Sequence, residues 1–454
     1  MIFVTQQDPV VKSVLGCQDV ADLKYRWSQY VITRETYGGS LLYNTLTCEM
    51  LFMTDSEQKE AMTDSELIRR WFLFPEGYDD HSLAKKVRSI RQLVYKADAR
   101  KEKERSIDRF WILTTTGCNA RCFYCHEHGI PEMSMTQDTA ERVIEYIGEN
   151  DRTGNVHIMW YGGEPLINQG VIDHISGKLR EQGFTYTSSM ISNGFLFDET
   201  TSKKAADLWH LNEVQITLDG LEETYNRVKA YKYETEESPF LRVLNNIAAL
   251  LDAEVRVKVR LNIDRYNKQE LFDLSELLID RFRGHQGFSI YTAPLMETCL
   301  GTKNDRTEQQ RREVYEAHYQ LSEKLRSEGV LHRTELPKVL RSEMRCIAVS
   351  DVRVIFPDGQ LAFCHDYSDG ILSGNIFGND PAREERLEYT KCLPEKEECG
   401  TCARYPQCVR FVKCFNNQCN KEIINEWKWV TMNEMLWEYE KMISKKEEGS
   451  SNDQ

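Results

Sequence analysis

The sequence has no long hydrophobic run and no excess of basic residues. No apolar stretch approaches the ~18 residues of a transmembrane helix. The net charge of -14 argues against broad binding to nucleic acids or anionic membranes, because both rely on surplus Lys and Arg. A basic, apolar leader is also missing, so a secreted, disulfide-bonded protein is not expected. We therefore predict a cytoplasmic enzyme of two or three domains, whose 14 cysteines are reduced and available as ligands.

Three cysteines, Cys118, Cys122 and Cys125, follow an apolar run at residues 110–113 in the pattern C-x3-C-x2-C. A four-iron cluster normally takes four thiolates, so three thiolates leave one iron open to a small molecule with an amine and a carboxylate. A structural zinc site would need four ligands, and the next cysteine is the distant Cys299. The pattern resembles the signature of the radical SAM superfamily, in which the open iron binds S-adenosylmethionine (SAM) and reductive cleavage yields a 5'-deoxyadenosyl radical.

Apolar strand patterns alternate with helical patterns between residues 110 and 295. Ala140, Val143, Ile144 and Ile147 follow helical spacing behind Thr136, which we predict to be an N-cap. Alternating strands and helices predict parallel pairing. Six such units predict an α/β fold, an open (β/α)6 partial TIM barrel, with functional residues at the carboxyl ends of its strands. The strand candidates are residues 110–116, 155–161, 187–192, 213–218, 254–263 and 286–291.

Short polar motifs occur at these predicted strand ends. Gly162-Gly163-Glu164 follows the second strand, and Ser192-Asn193 ends the third. Each motif alone is an equally plausible turn. One βα unit after the cysteine triplet, however, the first motif resembles the GGE motif of the superfamily, whose backbone and carboxylate hold the amino group of SAM.

The same resemblance implies further contacts with SAM. Thr217 matches a position often near the ribose, and Tyr124 is the aromatic residue expected near the adenine. Arg260 is a candidate for the SAM carboxylate, although an Arg on a barrel strand is about as often part of a structural ion pair. In the strand 254–263, polar residues alternate with valines and leucine, so its polar face is expected to line a hydrated cavity.

The C-terminal quarter contains a second group of cysteines. A zinc ribbon is the alternative for any single C-x2-C pair, but seven thiols exceed one zinc site. The spacing resembles the SPASM domain, with C-x12-G-x4-C followed by C-x2-C-x5-C, although the next gap is five residues instead of three. The seven cysteines are Cys346, Cys364, Cys399, Cys402, Cys408, Cys414 and Cys419.

Family analogy divides these thiols between two auxiliary clusters, which gives three [4Fe-4S] clusters with the SAM-binding one. The inner cluster then lacks a fourth thiolate, which Cys299 or Cys392 could supply unless the site stays open. His365 and Asp366, directly after Cys364, are candidate catalytic bases, with a surface turn as the alternative. The outer set is Cys399, Cys402, Cys408 and Cys419, and the inner set is Cys346, Cys364 and Cys414.

Residues 1–105 precede all of these motifs. Three short strands at 30–33, 40–43 and 48–53, followed by helical stretches at 55–71 and 79–104, are typical of a small α+β domain. It resembles the winged-helix-like RiPP recognition element, which binds a leader peptide as an added strand at a sheet edge. The alternative is a structural cap on the barrel. We expect residues 48–53 to be the edge strand.

The combined resemblance predicts a radical SAM/SPASM maturase that abstracts hydrogen from a ribosomal peptide and installs a thioether or carbon-carbon crosslink or a related oxidation. The expected partners are a precursor peptide with its leader and an electron donor such as flavodoxin or ferredoxin, with no nucleic acid and no membrane. The alternatives are an anaerobic sulfatase maturase, a small-molecule SPASM dehydrogenase or a zinc-stapled binding scaffold. The predicted domains are a leader-binding domain (1–105), the barrel (106–300), a helical linker (301–340) and the SPASM domain with a C-terminal helix (341–454).

Overall fold

The computed structural model describes residues 1–100, 107–125, 127, 129–151, 153–233, 236–295, 307–332, 352–364, 372–378, 391–412, 419 and 421–451. Contacts divide these residues into two compact units. Unit 1 contains residues 1–98 together with 391–412, 419 and 421–451, and unit 2 contains the others. The predicted SPASM domain is thus shared between the two units. No helix in the described part of the chain has the length and apolar character needed to cross a membrane.

Unit 1 is built on antiparallel strands. The three predicted strands are confirmed. The first two of them form a hairpin that turns at Gly38-Gly39. The strands are β1 (Ile2–Phe3), β2 (Tyr25–Trp27), β3 (Val31–Thr36), β4 (Gly39–Asn44), β5 (Glu49–Thr54) and β6 (Leu73–Pro75). The larger sheet has the order β1-β5-β4-β3, and β2 pairs with β6.

The prediction that residues 48–53 form an edge strand is wrong. β5 lies between β1 and β4, because Ile2 and Phe3 pair with Phe52 and Leu51. The edge strands of the four-stranded sheet are therefore β1 and β3. The two-residue strand β1 is too short to produce a periodic pattern, so its pairing with β5 could not be predicted.

The helices of unit 1 flank this sheet. The helical stretch predicted over 55–71 is broken, because Asp64 caps a separate helix by accepting the N–H groups of Glu66 and Leu67. Trp427 and Met435 of the C-terminal helix pack in one apolar cluster with residues of β3, β4 and β5. The helices are α1 (Pro9–Leu15), α2 (Asp55–Glu60), α3 (Ser65–Arg69), α4 (Asp80–Arg100) and the C-terminal helix (Lys421–Ser451).

Unit 2 contains a nine-stranded sheet whose first six strands are parallel, as predicted. The strands are β7 (Arg109–Thr115), β8 (Asn155–Gly162), β9 (Thr185–Ser192), β10 (Leu211–Leu218), β11 (Arg256–Ile263), β12 (Phe288–Pro294), β13 (Val352–Ile355), β14 (Gln360–Ala362) and β15 (Leu372–Asn375). Their order is β12-β11-β10-β9-β8-β7-β13-β14-β15. The open (β/α)6 partial barrel is thereby confirmed, and among the described residues β12 and β15 do not pair to close it.

Helices cover one face of the parallel strands. Thr136 is the N-cap of the first, as predicted, and accepts the N–H of Thr139. The side chains between strands and helices form a single large apolar core that includes Trp160, Trp209 and Phe282. The helices are α5 (Gln137–Asn150), α6 (Gln169–Glu181), α7 (Glu199–Asp207), α8 (Glu222–Lys229), α9 (Pro239–Asp252), α10 (Glu270–Phe282) and α11 (Glu308–Ser327).

Three later strands extend the sheet beyond β7. β13 runs parallel to β7, and β14 and β15 continue antiparallel. Gly359 forms the turn between β13 and β14 with φ +82, and its N–H donates to Phe356 O at 2.9 Å. Glycine adopts this left-handed conformation without strain. The glycine of the G-x4-C pattern thus places β14, and Cys364 behind it, next to the barrel strands of the same unit.

Candidate functional site

Cys118, Cys122 and Cys125 lie in the loop that follows β7, and the glycines after β8 hold this loop in place. A Cβ on Gly162 would lie 2.2 Å from Thr115 O, and a Cβ on Gly163 would lie 2.3 Å from Gly117 O. Both distances are far below van der Waals contact, so only glycine fits. The two predicted glycines therefore face the protein backbone, and they allow the end of β8 to pack directly on the start of the cysteine loop.

Glu164 joins the ends of β8 and β9. Its carboxylate is fully buried and accepts Ser192 Oγ at 2.9 Å, the Asn193 N–H at 2.8 Å and the Leu166 N–H at 3.3 Å, while its own N–H donates to Gly117 O at 3.0 Å. Burial raises the pKa of Glu164 to about 7, since loss of water disfavours the charged form. A cationic group bound beside it would favour the ionised carboxylate.

Asn193 connects this carboxylate to the cysteine loop. Its side-chain amide donates to Asn119 Oδ1 at 2.7 Å and lies 3.9 Å from Cys118 Sγ. Asn119 is fully buried, and its Nδ2 has no hydrogen-bond partner. Three predicted residues, Glu164, Ser192 and Asn193, are thus brought together beside the first cysteine. Asn119 was missed, because an Asn between ligands is indistinguishable from an ordinary loop residue in sequence.

A second polar network is centred on Asp219, which follows β10. Its carboxylate accepts Tyr124 Oη at 2.8 and 2.9 Å, Lys229 Nζ at 2.9 Å and Asn262 Nδ2 at 3.1 Å. Arg260 Nε donates to Asn262 Oδ1 at 2.8 Å, which connects the predicted Arg260 to the predicted Tyr124. Asn262 belongs to the predicted polar face of the strand 254–263, whereas no motif marked Asp219 or Lys229 as a site residue.

Thr217 and Arg260 are neighbours across β10 and β11. They occupy paired positions in the parallel register, and both side chains are half-buried. The structure therefore places Arg260 in a hydrogen-bonded network and not in an ion pair with the Asp219 carboxylate, which is neutralised by Lys229. Its guanidinium keeps further N–H groups beyond the one that Asn262 accepts.

The donor set of the cysteine loop fits an iron-sulfur cluster better than a single zinc ion. Burial, followed by the charges of Glu164, Cys122 and Cys125, raises the pKa of Cys118 to about 12, so the thiols repel one another as thiolates. A cluster of cationic iron would relieve this repulsion. Among the described residues, no three His, Cys, Asp or Glu side chains converge on one point as the ligands of a single metal ion would.

Comparison with known proteins agrees with this donor set. Residues 112–278 match the family model described as radical SAM superfamily. These residues form a radical SAM domain. The prediction of a radical SAM enzyme made from the cysteine triplet is confirmed at this level.

Relatives in sequence match less than half of the chain. The chain is 29% identical over 178 residues to GTP 3',8-cyclase of Clostridium perfringens (strain SM101 / Type A), which is 38% of this chain and 52% of that protein. The chain therefore spans about half the length of this curated relative.

Similar solved structures cover more of the chain. Native anSMEcpe with bound AdoMet and Kp18Cys peptide matches 72% of this chain and 98% of its own, with 14% identity and a TM-score of 0.57. Streptococcus suis SuiB bound to precursor peptide SuiA matches 88% of this chain and 99% of its own, with 12% identity and a TM-score of 0.50. At these identities the similarity shows a shared fold.

The face of the parallel sheet that is turned away from the helices has apolar side chains on its first strands and polar side chains on its later strands. The polar part agrees with the polar face predicted for the strand 254–263. On the first strands, Trp111, Met159 and Ile191 pack against an apolar cluster that reaches β13 and β14. On the later strands the residues are polar and paired. Tyr291 Oη donates to Gln215 Oε1 at 2.7 Å, and Lys258 Nζ lies 2.7 Å from Glu213 Oε1. Most of these side chains are half-buried.

In unit 1, the four cysteines assigned to the outer cluster lie close together. Burial raises the pKa of Cys402, and the charges of Cys408, Cys419 and Cys399 raise it further. Cys392 is also near, since the charge of Cys408 contributes to its raised pKa. Whether Cys299 or Cys392 is the inner cluster's fourth ligand, or the position stays open, remains a prediction.

The outer-cluster segment packs on the N-terminal residues of the same unit. Tyr405 lies in an apolar cluster with Tyr30, Phe74 and Val87, and Cys399 and Cys402 contact that cluster. Arg88 donates to Leu393 O at 2.8 Å and to Cys408 O at 3.3 Å. These contacts join residues that are more than 300 positions apart in the sequence.

Several predicted site residues lie outside the described part of the chain. Cys364 is described and half-buried behind β14. The inner-cluster cysteines Cys346 and Cys414, the candidate ligand Cys299 and the candidate bases His365 and Asp366 lie outside the described residues, so their assignments stay predictions.

Proposed function

We propose that this chain is a radical SAM maturase that modifies a ribosomally made peptide and carries two auxiliary iron-sulfur clusters. The observation that carries the proposal is the extent of the structural similarity. SuiB, which binds the precursor peptide SuiA, matches 88% of this chain, whereas the GTP 3',8-cyclase similarity covers 38%. A peptide substrate would account for the N-terminal sheet and the C-terminal cysteines.

Within the radical SAM domain, the two polar networks would hold SAM on either side of the cysteine loop. When bound, the cluster and SAM supply a 5'-deoxyadenosyl radical that abstracts a hydrogen atom from the substrate. Glu164 would accept the amino group of SAM, because its carboxylate is buried and held by three donors. Thr217 and Arg260 would contact the ribose and the carboxylate from β10 and β11, and Tyr124 would support the adenine.

The barrel face suits a peptide side chain. Its apolar wall on β7 to β9 would hold the hydrocarbon part of the modified residue, and its polar wall on β10 to β12 would bind main-chain or polar groups. A water-poor wall next to the radical would also limit side reactions. His365 or Asp366 would then accept a substrate proton as the crosslink forms, and the auxiliary cysteines would hold the cluster that takes up the remaining electron.

The auxiliary cysteines would bind two further [4Fe-4S] clusters. Cys399, Cys402, Cys408 and Cys419 form the outer set, whose mutual proximity supports it. Cys346, Cys364 and Cys414 would bind the inner cluster, with the fourth position filled by Cys299 or Cys392 or left open. A flavodoxin or ferredoxin would supply electrons.

The leader would bind at β3, which has one strand partner among the described residues. In a two-residue hairpin closed by the Thr36–Gly39 pair, every second residue turns its N–H away from the partner strand. Thr33 is one of these residues, and its side chain is exposed. The strand can thus pair with an added peptide by main-chain hydrogen bonds.

The test is anaerobic co-expression with each short reading frame found beside the gene, followed by mass spectrometry of the peptides. Loss of a pair of hydrogen atoms per crosslink is the expected result for the wild-type chain. Thr33→Pro should lower modification at limiting peptide, because it removes an N–H from the edge of β3. Tyr37→Pro is the matched control, since Tyr37 is fully exposed in the turn before Gly38 and proline is favoured there. Conversion of GTP with no peptide modified would contradict the proposal.

A further inference from the structure

Lys229 is the only buried lysine among the described residues. Its side chain is 3% exposed, and its ammonium lies 2.9 Å from Asp219 Oδ2 and 3.2 Å from Tyr124 Oη. The ammonium is also 5.9 Å from the ring centre of Tyr124 and 5.6 Å from that of Tyr225, a geometry that favours a cation over an aromatic face. The charge is thus held beside the residue between the second and third cysteines.

The backbone around Lys229 also holds the cysteine loop. The Arg121 N–H donates to Lys229 O at 2.7 Å, and the Lys232 N–H donates to Asn119 O at 2.8 Å. Ala230, which ends α8, adopts a left-handed conformation with φ 41, and this turns the chain from the helix onto the loop. The end of α8 and the cysteine loop are therefore joined by two main-chain hydrogen bonds in opposite directions.

A purely structural role explains these observations poorly. Burial of an ion pair costs desolvation energy that the attraction often fails to recover, and apolar residues of similar size would frequently stabilise the fold as well. The main-chain bonds that position the loop do not require a lysine side chain. What the lysine adds is a fixed positive charge. That charge lies 3.2 Å from the hydroxyl of Tyr124, the residue between the second and third cysteines.

We propose that Lys229 is a positioning and charge-compensating residue, whose ammonium offsets the thiolates of the cysteine loop and raises the reduction potential of the cluster they bind. Reduction adds negative charge to the cluster, and a nearby positive charge stabilises the reduced form more than the oxidised form. The electron needed for SAM cleavage would then enter more easily. This inference rests on the iron-sulfur part of the proposed function and is independent of the substrate.

The experiment is a redox titration of the reconstituted full-length enzyme, with electron paramagnetic resonance used to follow the signal that changes when SAM is added. Lys229→Met should shift the one-electron equilibrium toward the oxidised form at least tenfold, which corresponds to ~59 mV. Asp219→Asn, which keeps the lysine and removes its counter-charge, should shift it the opposite way. Lys229→Arg should stay close to the wild type.

Lys204→Met is the matched control. Lys204 also pairs with an aspartate, Asp173, at 3.0 Å, but this pair is about one-third exposed and joins two helices away from the cysteine loop. It should leave the potential unchanged. Equal potentials in Lys229→Met and Lys204→Met would overturn the role of Lys229.

Three further outcomes are decisive. If Lys229→Met does not bind iron, the Asp219→Asn and Lys229→Arg variants decide, and an unshifted or lowered potential in Asp219→Asn would overturn the proposal. Loss of iron in Lys229→Arg as well would also overturn it, because side-chain shape and not charge would then be required. A wild-type enzyme without any SAM-responsive signal would instead refute the iron-sulfur part of the proposed function.

Discussion

The two cysteine-rich sites of this chain are assembled in different ways. In unit 2, the groups around Cys118, Cys122 and Cys125 come from the ends of successive parallel strands, so the repeated βα geometry brings them together. In unit 1, the segment that contains the outer thiols packs against N-terminal residues. Arg88 donates a hydrogen bond to Cys408 O, which is 320 positions away in the sequence. The first site is therefore expected to tolerate damage elsewhere in the chain, whereas the second depends on the N-terminal residues.

The largest expected effect comes from removing the cysteine loop ligands. Substitution of Cys118, Cys122 and Cys125 together by Ala should abolish SAM cleavage, because a cluster without protein thiolates is not retained. The auxiliary clusters should remain, so about four iron atoms per chain are expected to be lost, one cubane's worth. Analysis of 5'-deoxyadenosine and iron measures both effects. Continued formation of 5'-deoxyadenosine by this variant would disprove the assigned site.

A more limited loss should follow from breaking the packing under the outer thiols. Arg88→Ala removes the donor to Leu393 O and Cys408 O and a cation 5.0 Å from the Tyr405 ring. We expect loss of the outer cluster, again about four iron atoms per chain. SAM cleavage should be retained, since the described residues that are proposed to hold SAM lie in unit 2.

Lys86→Ala is the control for this variant, because Lys86 is exposed on the same helix, α4. It should retain all of the iron. Equal iron content in Arg88→Ala and Lys86→Ala would show that the outer site does not depend on this contact, and the contrast between the two sites would disappear.

The smallest expected effect is a change in pH dependence at Glu164. Its folded pKa of about 7 lies above the ordinary 4.5, so the folded protein binds more protons than the unfolded chain between these pH values. Below pH 4.5 this carboxyl is protonated in both the folded and the unfolded state, so it does not affect the free energy of unfolding. As the pH rises from 4.5 through about 7, its burial lowers the free energy of unfolding progressively. A shift of this size corresponds to at most about 3 kcal/mol.

Glu164→Gln should remove this loss of stability. Thermal unfolding of the metal-free protein at pH 5 and pH 8 measures it, and the variant should lose less stability than the wild type over this interval. Ser192→Ala, which keeps the carboxylate and removes one donor, should preserve or steepen the dependence. Identical pH profiles for wild type and Glu164→Gln would mean that the carboxyl is not buried as described.

Much of the radical SAM domain could be predicted because its signals are local. The β strands, the N-cap at Thr136 and the order of the motifs follow from periodicity and short motifs, and each motif falls at the end of a strand. Ser192 and Asn193 were predicted together with Glu164, although their hydrogen bonds to its carboxylate were not. The edge strand of unit 1 was predicted wrongly, because Ile2–Phe3 is too short to show any period yet covers β5.

Local sequence patterns were enough to predict the cysteine triplet, the alternation of parallel strands with helices and a second group of thiols. These features depend on spacing within a few residues, which the backbone geometry of one strand or loop fixes. Three features became visible only in the folded chain: the buried pair of Lys229 and Asp219 beside the cysteine loop, the backbone contacts of Gly162 and Gly163, and the packing of the outer-cluster segment on Tyr30 and Arg88. Such contacts depend on how distant segments fold back on one another, and no local pattern encodes which side chains meet when water is excluded between them.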